Sequence, residues 1–548
     1  MKRFLFCLLP FVVACHAPQK FDLLIKNALI YDGSGNAPVA GSVGVNGDRI
    51  VAVGDLNAVG EKELDAGGLA LAPGFINMLS WANVSLLEDG RSQSDLRQGV
   101  TLEVMGEGRS MGPLNEDMKR EMVENQGDIK YDIEWTTLGE YLEHLEKKGV
   151  STNVTSFVGN GTLRQYVIGY DNRPATPEEL EQMKALTETA MREGAVGISS
   201  SLLYAPSRYA STEELIELAK VAARYDGMYI SHIRSESTGL LESVDELIRI
   251  AREAGIRAEI YHLKASAEKN WPKLDTVFQK IEAARAEGLA ITADMYTYPA
   301  SSTGLHVQLP EWAREGGVEA ALERLRDPRL RPKIISEIKF EHAPDKILLV
   351  GFRNPKLRVH LGKYLDEVAR ELHMTPEEAV AYLMVEDDSR IQVVYFSMSE
   401  ENIRKKIVQP WMSFCSDAGS YSAEGVFLKQ STHPRAYGSF IRVLGKYARD
   451  EKLFPLEEAI RRLAALPAQN LKIKDRGMIR PGYFADLVLF DPEKVQDKAT
   501  FEKPHQYAEG VIHVFVNGVQ VLEDGEPTGA TPGRFVRGPG YRQTPDSE

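Results

Sequence analysis

The sequence predicts an α/β protein in which a TIM-like (β/α)8 barrel accompanies a small β-sandwich domain formed from both chain termini. Three observations carry this prediction. Short apolar runs of strand length recur through the middle of the chain, helical patterns separate most of them, and alternating strand patterns stand at both ends. At 548 residues the chain is long enough for a barrel of roughly 250 residues or more together with a second domain.

Residues 1–14 are predicted to be a lipoprotein-type signal peptide. Lys2 and Arg3 precede an apolar stretch that is too short to span a bilayer as a mature helix, which needs about 20 residues. The stretch ends in Val12-Val13-Ala14-Cys15, which resembles the bacterial lipobox, so Cys15 is expected to carry a lipid; an ordinary secretory signal cut nearby is the alternative. Either signal takes the protein out of the cytoplasm. A lipid on Cys15 would attach it to a membrane, facing the periplasm or the cell surface, without a transmembrane helix.

Residues 20–70 and 471–535 are predicted to form one composite β domain. The first segment consists of short runs that alternate apolar and polar residues, and Asn46-Gly47 between two of them is a hairpin signal. The same alternation of apolar and polar residues is found near the other end of the chain, most clearly between Val511 and Leu522. The simplest arrangement inserts the barrel between the two halves of this domain.

Residues 71–470 are predicted to form the barrel, because eight strand-like runs can be counted there. The runs are Phe75–Leu79, Thr101–Met105, Asn153–Val158, Val196–Ser200, Met228–Ile233, Ala258–Leu263, Ala290–Tyr296 and Trp411–Ser416. More than 100 residues separate the last two runs, which is far beyond a single crossover. Much of that stretch, about 300–400, is predicted to be a helical insertion over the barrel mouth and therefore a candidate lid. The last ~20 residues, rich in Gly, Pro and Arg, are predicted to be loosely ordered.

Three residues with useful chemistry stand at the ends of strand-like runs: His232, His262 and Asp417. In a parallel barrel the carboxyl ends of the strands meet at one face, so these side chains are expected to lie close together. Neutral imidazoles suit a zinc-like cation, and a carboxylate beside them can take a proton from water. A single histidine on a strand is more often a core residue, but this combination favours a hydrolase site. Cys415, two residues before Asp417, is interpreted as buried packing rather than as a reactive group.

Charge and cysteine content argue against a nucleic-acid-binding protein and against a disulfide-stabilised fold. A formal net charge of −14 argues against nucleic acid as a partner, because a phosphate binder needs a basic face. Of the three cysteines, Cys7 would leave with the signal and Cys15 would carry the lipid. Only Cys415 remains in the fold, so no intramolecular disulfide is expected despite the oxidising compartment.

A series of short motifs extends over nearly the whole mature chain. They are Leu71-Ala-Pro-Gly-Phe-Ile-Asn77, Arg97-Gln-Gly-Val-Thr101, Gly159-Asn-Gly-Thr-Leu-Arg164, Gly194-Ala-Val-Gly-Ile-Ser-Ser200, Ser231-His-Ile-Arg234, Asp294-Met-Tyr-Thr-Tyr298, Met398-Ser-Glu-Glu-Asn402 followed by Pro410-Trp411, His433-Pro-Arg-Ala-Tyr-Gly-Ser-Phe-Ile-Arg-Val-Leu-Gly445 and Gly482-Tyr-Phe-Ala-Asp486. With these motifs the chain resembles the D-aminoacylase (N-acyl-D-amino-acid deacylase) branch of the amidohydrolase superfamily. The resemblance implies a zinc-dependent amidohydrolase that cleaves N-acyl amino acids, expected to be of the D configuration, or a related small amide to release the free amino acid.

The resemblance also implies roles for individual residues. His232 and His262 hold the metal, and Asp417 is the general base. Arg435 pairs with the free carboxylate of a small-molecule substrate, for which its planar fork is well shaped; a structural ion pair is the alternative. Tyr298 and Ser302 match positions that help to orient that substrate.

Two departures from the family pattern bear on the metal. Members usually carry a His-x-His pair after the first barrel strand, but Leu79 and Trp81 stand there in this chain, and neither side chain binds a divalent cation. One of two metal positions is therefore lost or was never used, and Trp81 is expected either to fill it or to contact substrate. Where the family shows a cysteine ligand, Glu107 is the nearest ligand type; its alternative is a salt bridge with Arg109 or Arg234. A His, His and carboxylate set with one open position is a recurrent zinc site, which predicts one zinc ion per chain.

Two other functions remain open. The missing histidine pair is compatible with a catalytically degenerate barrel that binds an acylated amino acid or peptide at the cell surface without cleaving it. The retention of Asp417 counts against this alternative, because a binding protein needs no general base. A dipeptidase or cyclic amidase is also open, since the acyl group, the side chain and the stereochemistry do not follow from the residues themselves.

Overall fold

The computed structural model describes residues 18–542, so the predicted signal peptide and Cys15 lie outside the described residues. Its strands are, in chain order, β1 (Gln19–Ile30), β2 (Val39–Asn46), β3 (Arg49–Gly54), β4 (Ala58–Asp65), β5 (Ala70–Pro73), β6 (Phe75–Asn77), β7 (Val100–Met105), β8 (Asn153–Ser156), β9 (Val158–Gly159), β10 (Gly197–Ser201), β11 (Met228–His232), β12 (Arg257–Ile260), β13 (Ile291–Met295), β14 (Ser301–Gly304), β15 (Ile347–Gly351), β16 (Gln392–Tyr395), β17 (Met412–Phe414), β18 (Leu487–Phe490), β19 (Val511–Val516), β20 (Val519–Glu523) and β21 (Glu526–Pro527).

Helices fill most of the connections between these strands. They are α1 (Ala82–Glu88), α2 (Gln93–Leu96), α3 (Glu116–Glu124), α4 (Leu138–Lys148), α5 (Asn160–Val167), α6 (Pro177–Glu193), α7 (Thr212–Arg224), α8 (Leu240–Ala254), α9 (Lys273–Ala286), α10 (Glu311–Arg314), α11 (Gly317–Arg326), α12 (Arg331–Glu337), α13 (Leu365–Glu371), α14 (Pro376–Asp387), α15 (Glu400–Ile407), α16 (Arg435–Arg442), α17 (Leu456–Ile460) and α18 (Leu466–Leu471). Local signals set their ends: at α6, Thr176 and Glu179 form a capping box and Gly194 ends the helix in a left-handed conformation.

A nine-stranded sheet contains strands from both ends of the chain. Its order is β21-β20-β19-β18-β5-β1-β2-β3, with β4 paired to β1. The central contact is β5, which pairs in parallel with β1 and antiparallel with β18. The hairpin predicted at Asn46-Gly47 joins β2 to β3, and Gly47 has the positive φ that such a turn requires. Strands from the two termini therefore share one sheet.

Eight parallel strand positions form a closed ring beside this sheet. The strands β6, β7 and β8 pair in one sheet, and β9 to β13 continue in a second sheet that ends at β17. The ring closes where the Met78 N–H donates to the Phe414 carbonyl at 3.1 Å and Ser80 bridges to Ala418. Each of the strand-like runs found in the sequence overlaps one of these strands, and the third run overlaps both β8 and β9. Apolar side chains such as Leu102, Phe157 and Ile230 fill the interior.

The stretch between β13 and β17 forms an insertion with its own apolar core. The core includes Leu322, Leu349, Met384 and Val393. The prediction of a helical insertion was incomplete, because β14, β16 and β15 also form a three-stranded antiparallel sheet within it. Side-chain contacts join the insertion to the loop after β10; for example, the hydroxyls of Tyr204 and Thr303 lie 2.7 Å apart, and Arg208 pairs with Glu311.

The end of the chain is bound to the ring rather than loosely ordered. The N–H groups of Gly533, Val536 and Gly538 donate to backbone carbonyls beside β8 and β10 at distances of 2.8 to 2.9 Å. The prediction of a loose tail was therefore wrong for the part of the tail that the structure describes, because its main chain finds backbone partners. Within residues 18–542, no helix is long and apolar enough to cross a membrane.

Candidate active site

A cavity of about 1370 Å³ lies between the ring and the insertion. The loops that follow β7, β10, β11 and β12 line it on the ring side, and β14 with the start of β16 lines it on the insertion side. All but two of the residues predicted for the site from the sequence and described by the structure are buried within its wall. The exceptions, Tyr298 and Ser302, are treated separately below.

Three potential metal ligands converge at the base of this cavity. His232 ends β11, His262 follows β12 and Glu107 follows β7. The Nδ1 atom of His232 lies 3.0 Å from both Glu107 Oε1 and His262 Nε2, and the remaining side of this triangle measures 3.2 Å. Ligands about 2.0 to 2.1 Å from a tetrahedral zinc ion are separated by about 3.3 Å, so the three atoms fit one small divalent cation.

The electrostatics of these residues also suit a cation. Burial opposes ionisation of Glu107, but hydrogen bonds from His232 and His262 outweigh it and lower the pKa of the carboxyl. Burial and the Lys264 charge lower the pKa of His262, whereas Glu236, Asp417 and Glu107 raise it further, to a net value of about 10. The ligand set therefore attracts positive charge. Glu107 pairs with neither Arg109 nor Arg234; Arg234 instead binds Glu246 at 2.8 Å.

Lys264 and Glu236 support His262 from behind, and the sequence reasoning missed both. The Lys264 ammonium donates to Nδ1 of His262 at 2.7 Å and lies 2.5 Å from Glu236 Oε1. A partner on the second ring nitrogen fixes the orientation of a ligand histidine. The available signal was the position of Lys264 two residues after His262, at the carboxyl end of the same strand.

Asp417 is held beside the ligands by one hydrogen bond and one ion pair. The Trp81 indole N–H donates to Oδ1 at 3.2 Å, and Nη1 of Arg435 lies 2.6 Å from Oδ2. Asp417 and His262 have φ values of +49° and +34°, a strained region for non-glycine residues that is found preferentially at functional sites. Of the two substituted positions, Leu79 is completely buried in the interior of the ring, whereas Trp81 lines the cavity and contacts Asp417.

Arg435 forms a basic wall of the cavity with Tyr296 and Lys264. It begins α16, and its guanidinium carbon lies 4.5 Å from the centroid of the Tyr296 ring. The Lys264 ammonium lies 5.7 Å from the same ring. Burial lowers the pKa of Arg435, but Asp417 and Tyr296 more than compensate, so the net shift is upward and the guanidinium stays charged. Arg435 therefore forms an ion pair, with Asp417 as its partner, which was the alternative to a substrate-binding role. It also lines the cavity.

Two predicted substrate contacts are placed differently. Tyr298 does not line the cavity: its hydroxyl donates to Asp497 Oδ2 at 3.0 Å and its ring lies against Arg442. Tyr296, two residues earlier, occupies the wall instead, because β13 ends at Met295 and the strand alternation ends with it. Ser302 lines the cavity, but its hydroxyl donates to the Val393 carbonyl at 2.8 Å.

The ring and the terminal sheet match the α/β amidohydrolase fold, and a model of the amidohydrolase family matches residues 431–522. The chain is 33% identical to a D-aminoacylase of Alcaligenes xylosoxydans xylosoxydans, over 94% of this chain and 98% of that protein. It is 32% identical to an N-acyl-D-aspartate deacylase of the same organism, over 96% of each.

One solved structure is the N-acyl-D-glutamate deacylase from Bordetella bronchiseptica, complexed with zinc and a phosphonate inhibitor that mimics the tetrahedral intermediate. It aligns with a TM-score of 0.79 at 29% identity, over 95% of this chain and 100% of that one. The chain belongs to the D-aminoacylase (N-acyl-D-amino-acid deacylase) family of amidohydrolases.

Proposed function

We propose that this protein hydrolyses the amide bond of N-acyl-D-amino acids, releasing a carboxylic acid and the free amino acid. The observation that carries the proposal is the buried cluster of Glu107, His232 and His262 beside Asp417, in a chain of this family. The D configuration is inferred from the relatives, which are a D-aminoacylase and an N-acyl-D-aspartate deacylase. The proposal treats the eight-strand ring as a TIM-like (β/α)8 barrel, with the reaction at the carboxyl ends of its strands.

Glu107, His232 and His262 would hold a single zinc ion. Three protein ligands with an open position are typical of catalytic zinc, and when bound the ion supplies Lewis acidity that polarises the amide carbonyl and makes a water more acidic. All three side chains are buried at the base of the cavity. Lys264 and Glu236 contact Nδ1 of His262 and so fix the orientation of its ring.

Asp417 would move the proton. Its carboxylate accepts a proton from the attacking water as the new carbon–oxygen bond forms, and then passes that proton to the amine nitrogen as the carbon–nitrogen bond breaks. It lies close enough to His262 for its charge to raise the pKa of that ring. Trp81 and Arg435 fix the direction of its two oxygens.

Arg435 would hold the α-carboxylate of a small-molecule substrate, with Lys264 adding positive charge beside it. Arg435 is only 4% exposed, so a carboxylate bound there is largely removed from water and its interaction with the guanidinium is strengthened. The phenol of Tyr296 stands between the two cations and offers a hydroxyl without a hydrogen-bond partner among the described residues. This wall therefore offers positive charge and a hydroxyl donor to an amino-acid carboxylate.

A comparison of two variants tests this assignment. With N-acetyl-D-amino acids as substrates, Asp417→Asn is expected to lose roughly 100- to 10,000-fold in kcat, the usual contribution of a general base, while about one zinc per chain remains in elemental analysis. Glu107→Gln is expected to lose both activity and zinc. Glu121→Gln is the matched control, because Glu121 lines the same cavity but binds Gln165 and Tyr170. Near-normal turnover by Asp417→Asn would contradict the mechanism, and full zinc in Glu107→Gln would contradict the ligand set.

We also propose that the protein is exported and anchored through a lipid on Cys15. The support is the pair of cations, the apolar stretch and the Val-Val-Ala-Cys ending of residues 1–15. Mass spectrometry of the membrane-bound protein should find Cys15 as an acylated first residue, and Cys15→Ala should release the enzyme from the membrane fraction. An unmodified first residue other than Cys15 would indicate an ordinary secretory signal.

A further inference from the structure

Two buried carboxyl groups near the site have no role in the proposed reaction. Asp95 lies on α2 and Glu103 on β7, and both side chains are completely buried. Neither forms an ion pair with a basic side chain of residues 18–542, and their partners are hydroxyl and amide groups. Burial raises the pKa of both groups. Such an arrangement costs stability, because neutral partners replace the lost hydration of a carboxylate only in part.

The two groups lie behind the ring strands rather than in the cavity. Leu102 and Val104 belong to the apolar interior of the ring, so the alternation along β7 turns Glu103 to the opposite face. Burial is the main cause of the raised pKa of Asp95, and the nearby charge of Glu103 adds to it. Neither residue lines the cavity, so neither can contact substrate.

Glu103 anchors the Trp81 loop, which comprises residues 80–82. The Ser80 hydroxyl donates to Oε2 of Glu103 at 2.7 Å and accepts the N–H of Ala82 at 3.1 Å. Thr152 donates to the other carboxyl oxygen, Oε1, at 2.8 Å, so the position of the Glu103 side chain is fixed as well. One serine hydroxyl therefore connects the main chain on both sides of Trp81 to a buried carboxyl group.

Asp95 anchors the Asp417 loop, which comprises residues 416–418, through the side chain of Asn77. The Asn77 amide donates to Oδ1 of Asp95 at 3.1 Å and to the Ser416 hydroxyl at 2.8 Å. Its carbonyl oxygen accepts the Ser416 N–H at 2.9 Å. The Ser416 hydroxyl also accepts the N–H of Ala418 at 3.3 Å. The residues before and after Asp417 are therefore connected to the second buried carboxyl group.

The Trp81 loop and the Asp417 loop pair with each other. The Trp81 N–H donates to the Ala418 carbonyl and the Asp417 N–H donates to the Leu79 carbonyl, each at 2.9 Å. Asp417 has a φ of +49°, a conformation that persists only where the surrounding structure holds it. The Asp417 carboxylate is therefore placed by its own loop and, through the Trp81 indole, by the loop that faces it.

We propose that Asp95 and Glu103 are positioning residues for the general base. Asp95 acts on Asp417 through the Asn77 amide, and Glu103 acts through the Ser80 hydroxyl on the loop that faces Asp417. The inference rests on the proposed function, because it names what holds the group that moves the proton there. A displacement of about 1 Å at a reacting group can cost on the order of 100-fold in rate, which gives two buried anchors a functional reason.

Ser80→Ala tests the Glu103 half, because it removes the hydroxyl with little change in volume. In zinc-loaded protein with N-acetyl-D-amino acids as substrates, kcat is expected to fall roughly tenfold while KM stays within about twofold. Ser413→Ala is the matched control, since Ser413 also donates to a buried carboxyl group of the ring, Glu259, at 3.1 Å. It should retain nearly the kcat of the wild type. Equal losses in the two variants would overturn the Glu103 half.

A double-mutant cycle separates positioning from a general structural role. If Ser80 acts through Trp81, Ser80→Ala combined with Trp81→Phe should have the kcat of Trp81→Phe alone, within about twofold. Losses that multiply in the double variant would show that Ser80 acts independently of Trp81, and would contradict the inference.

Two substitutions of Asp95 test the other half. Asp95→Leu removes the acceptor for Asn77 and is expected to lower kcat roughly tenfold, with about one zinc per chain retained. Asp95→Asn keeps an acceptor oxygen in the same place and should stay within about threefold of the wild type. Equal losses in both variants, or no loss in Asp95→Leu, would show that the hydrogen bond from Asn77 does not position Asp417.

Crystal structures of the variants give a readout that does not depend on activity. The distance between Nε1 of Trp81 and Oδ1 of Asp417, 3.2 Å here, should lengthen beyond hydrogen-bonding range in Ser80→Ala and in Asp95→Leu, and should be kept in Ser413→Ala. An unchanged distance in either of the first two variants would overturn the corresponding half, even if kcat fell. If no N-acyl-D-amino acid is hydrolysed, the proposed function fails, and these distances still decide whether the anchors position Asp417.

Discussion

At the scale of single residues, Trp81 is the substitution with the clearest consequence. It stands where the family usually has a ligand histidine, and its indole N–H donates to Asp417 instead. A carboxylate with one oxygen on Trp81 and the other on Arg435 has little freedom to rotate, which suits a group that must accept a proton from a defined direction. We expect Trp81 to act as a positioning residue for Asp417.

Replacing Trp81 by Phe should lower kcat by roughly tenfold and leave KM within about twofold. The indole hydrogen bond is made to a charged group, but Trp81 is 40% exposed, so the effect belongs at the lower end of the usual range. Steady-state kinetics with zinc-loaded protein measures both constants. Trp312→Phe is the control, because it removes an indole donor to Glu337 within the insertion. A rise in KM at constant kcat would show that Trp81 contacts substrate rather than Asp417.

The sequence predicted the positions of His232, His262 and Asp417 because each follows an apolar strand, and the structure gathers all three at one end of the ring. The contacts of Glu236 and Trp81 were not predictable, since they join residues that follow different strands through side-chain packing alone. Tyr298 was selected in place of Tyr296 because a motif gives the order of residues but not the point at which the strand ends.

At the scale of elements, the ring strands were predictable and the small sheet of the insertion was not. The ring strands are buried on both faces and read as continuous apolar runs. In the insertion, β14 has the sequence Ser-Ser-Thr-Gly and is only partly buried, so nothing in its composition indicates a strand. It becomes a strand because β16 offers it an antiparallel partner.

A buried ion pair stabilises the terminal sheet near the start of β18. Asp486, in the Gly482-Tyr-Phe-Ala-Asp486 motif, pairs with Arg476 and accepts the Asn517 N–H at 2.8 Å, while Arg476 donates to the Asn517 side chain at 2.8 Å. Asp486→Asn should lower the free energy of unfolding by about 3 to 5 kcal/mol, because Arg476 would remain buried without its counter-charge. Urea denaturation measures the loss.

The control for this change is Asp366→Asn, which breaks an exposed pair with Arg370 and should cost no more than about 0.5 kcal/mol. Equal effects of the two substitutions would mean that the Asp486 pair contributes no more than a surface contact.

At the scale of the whole molecule, the ring and the insertion are two packed bodies with the cavity between them. Each has its own apolar core, and contacts such as Tyr204 with Thr303 and Arg208 with Glu311 join them at the cavity edge. Glu107, His232, His262 and Asp417 come from the ring, whereas the insertion supplies the facing wall of the cavity.

Global stability should depend on pH through Glu259, which is completely buried in β12. Burial, together with the charge of Asp294, raises the pKa of Glu259 to about 8. Between its ordinary pKa and about pH 8 the folded state keeps a proton that the unfolded state has lost, so stability falls as pH rises through this window. Thermal or urea unfolding at pH 5 and pH 8 should show this decline, and Glu259→Gln should reduce it.

Glu253→Gln, at an exposed position on α8, should leave the decline unchanged. A pH profile that is identical in the wild type and in Glu259→Gln would show that Glu259 does not titrate in this range.

The terminal sheet also sets an order of events during synthesis. Strand β5 has β1 on one edge and β18 on the other, and Leu71 pairs with Leu489 across more than 400 residues of intervening chain. A ribosome makes β5 early, yet its second edge stays unpaired until the ring, the insertion and α16 to α18 have all been made. Long-range closure of this kind slows folding and leaves a strand edge open to association. A chain released before residue 487 would keep that edge permanently uncovered.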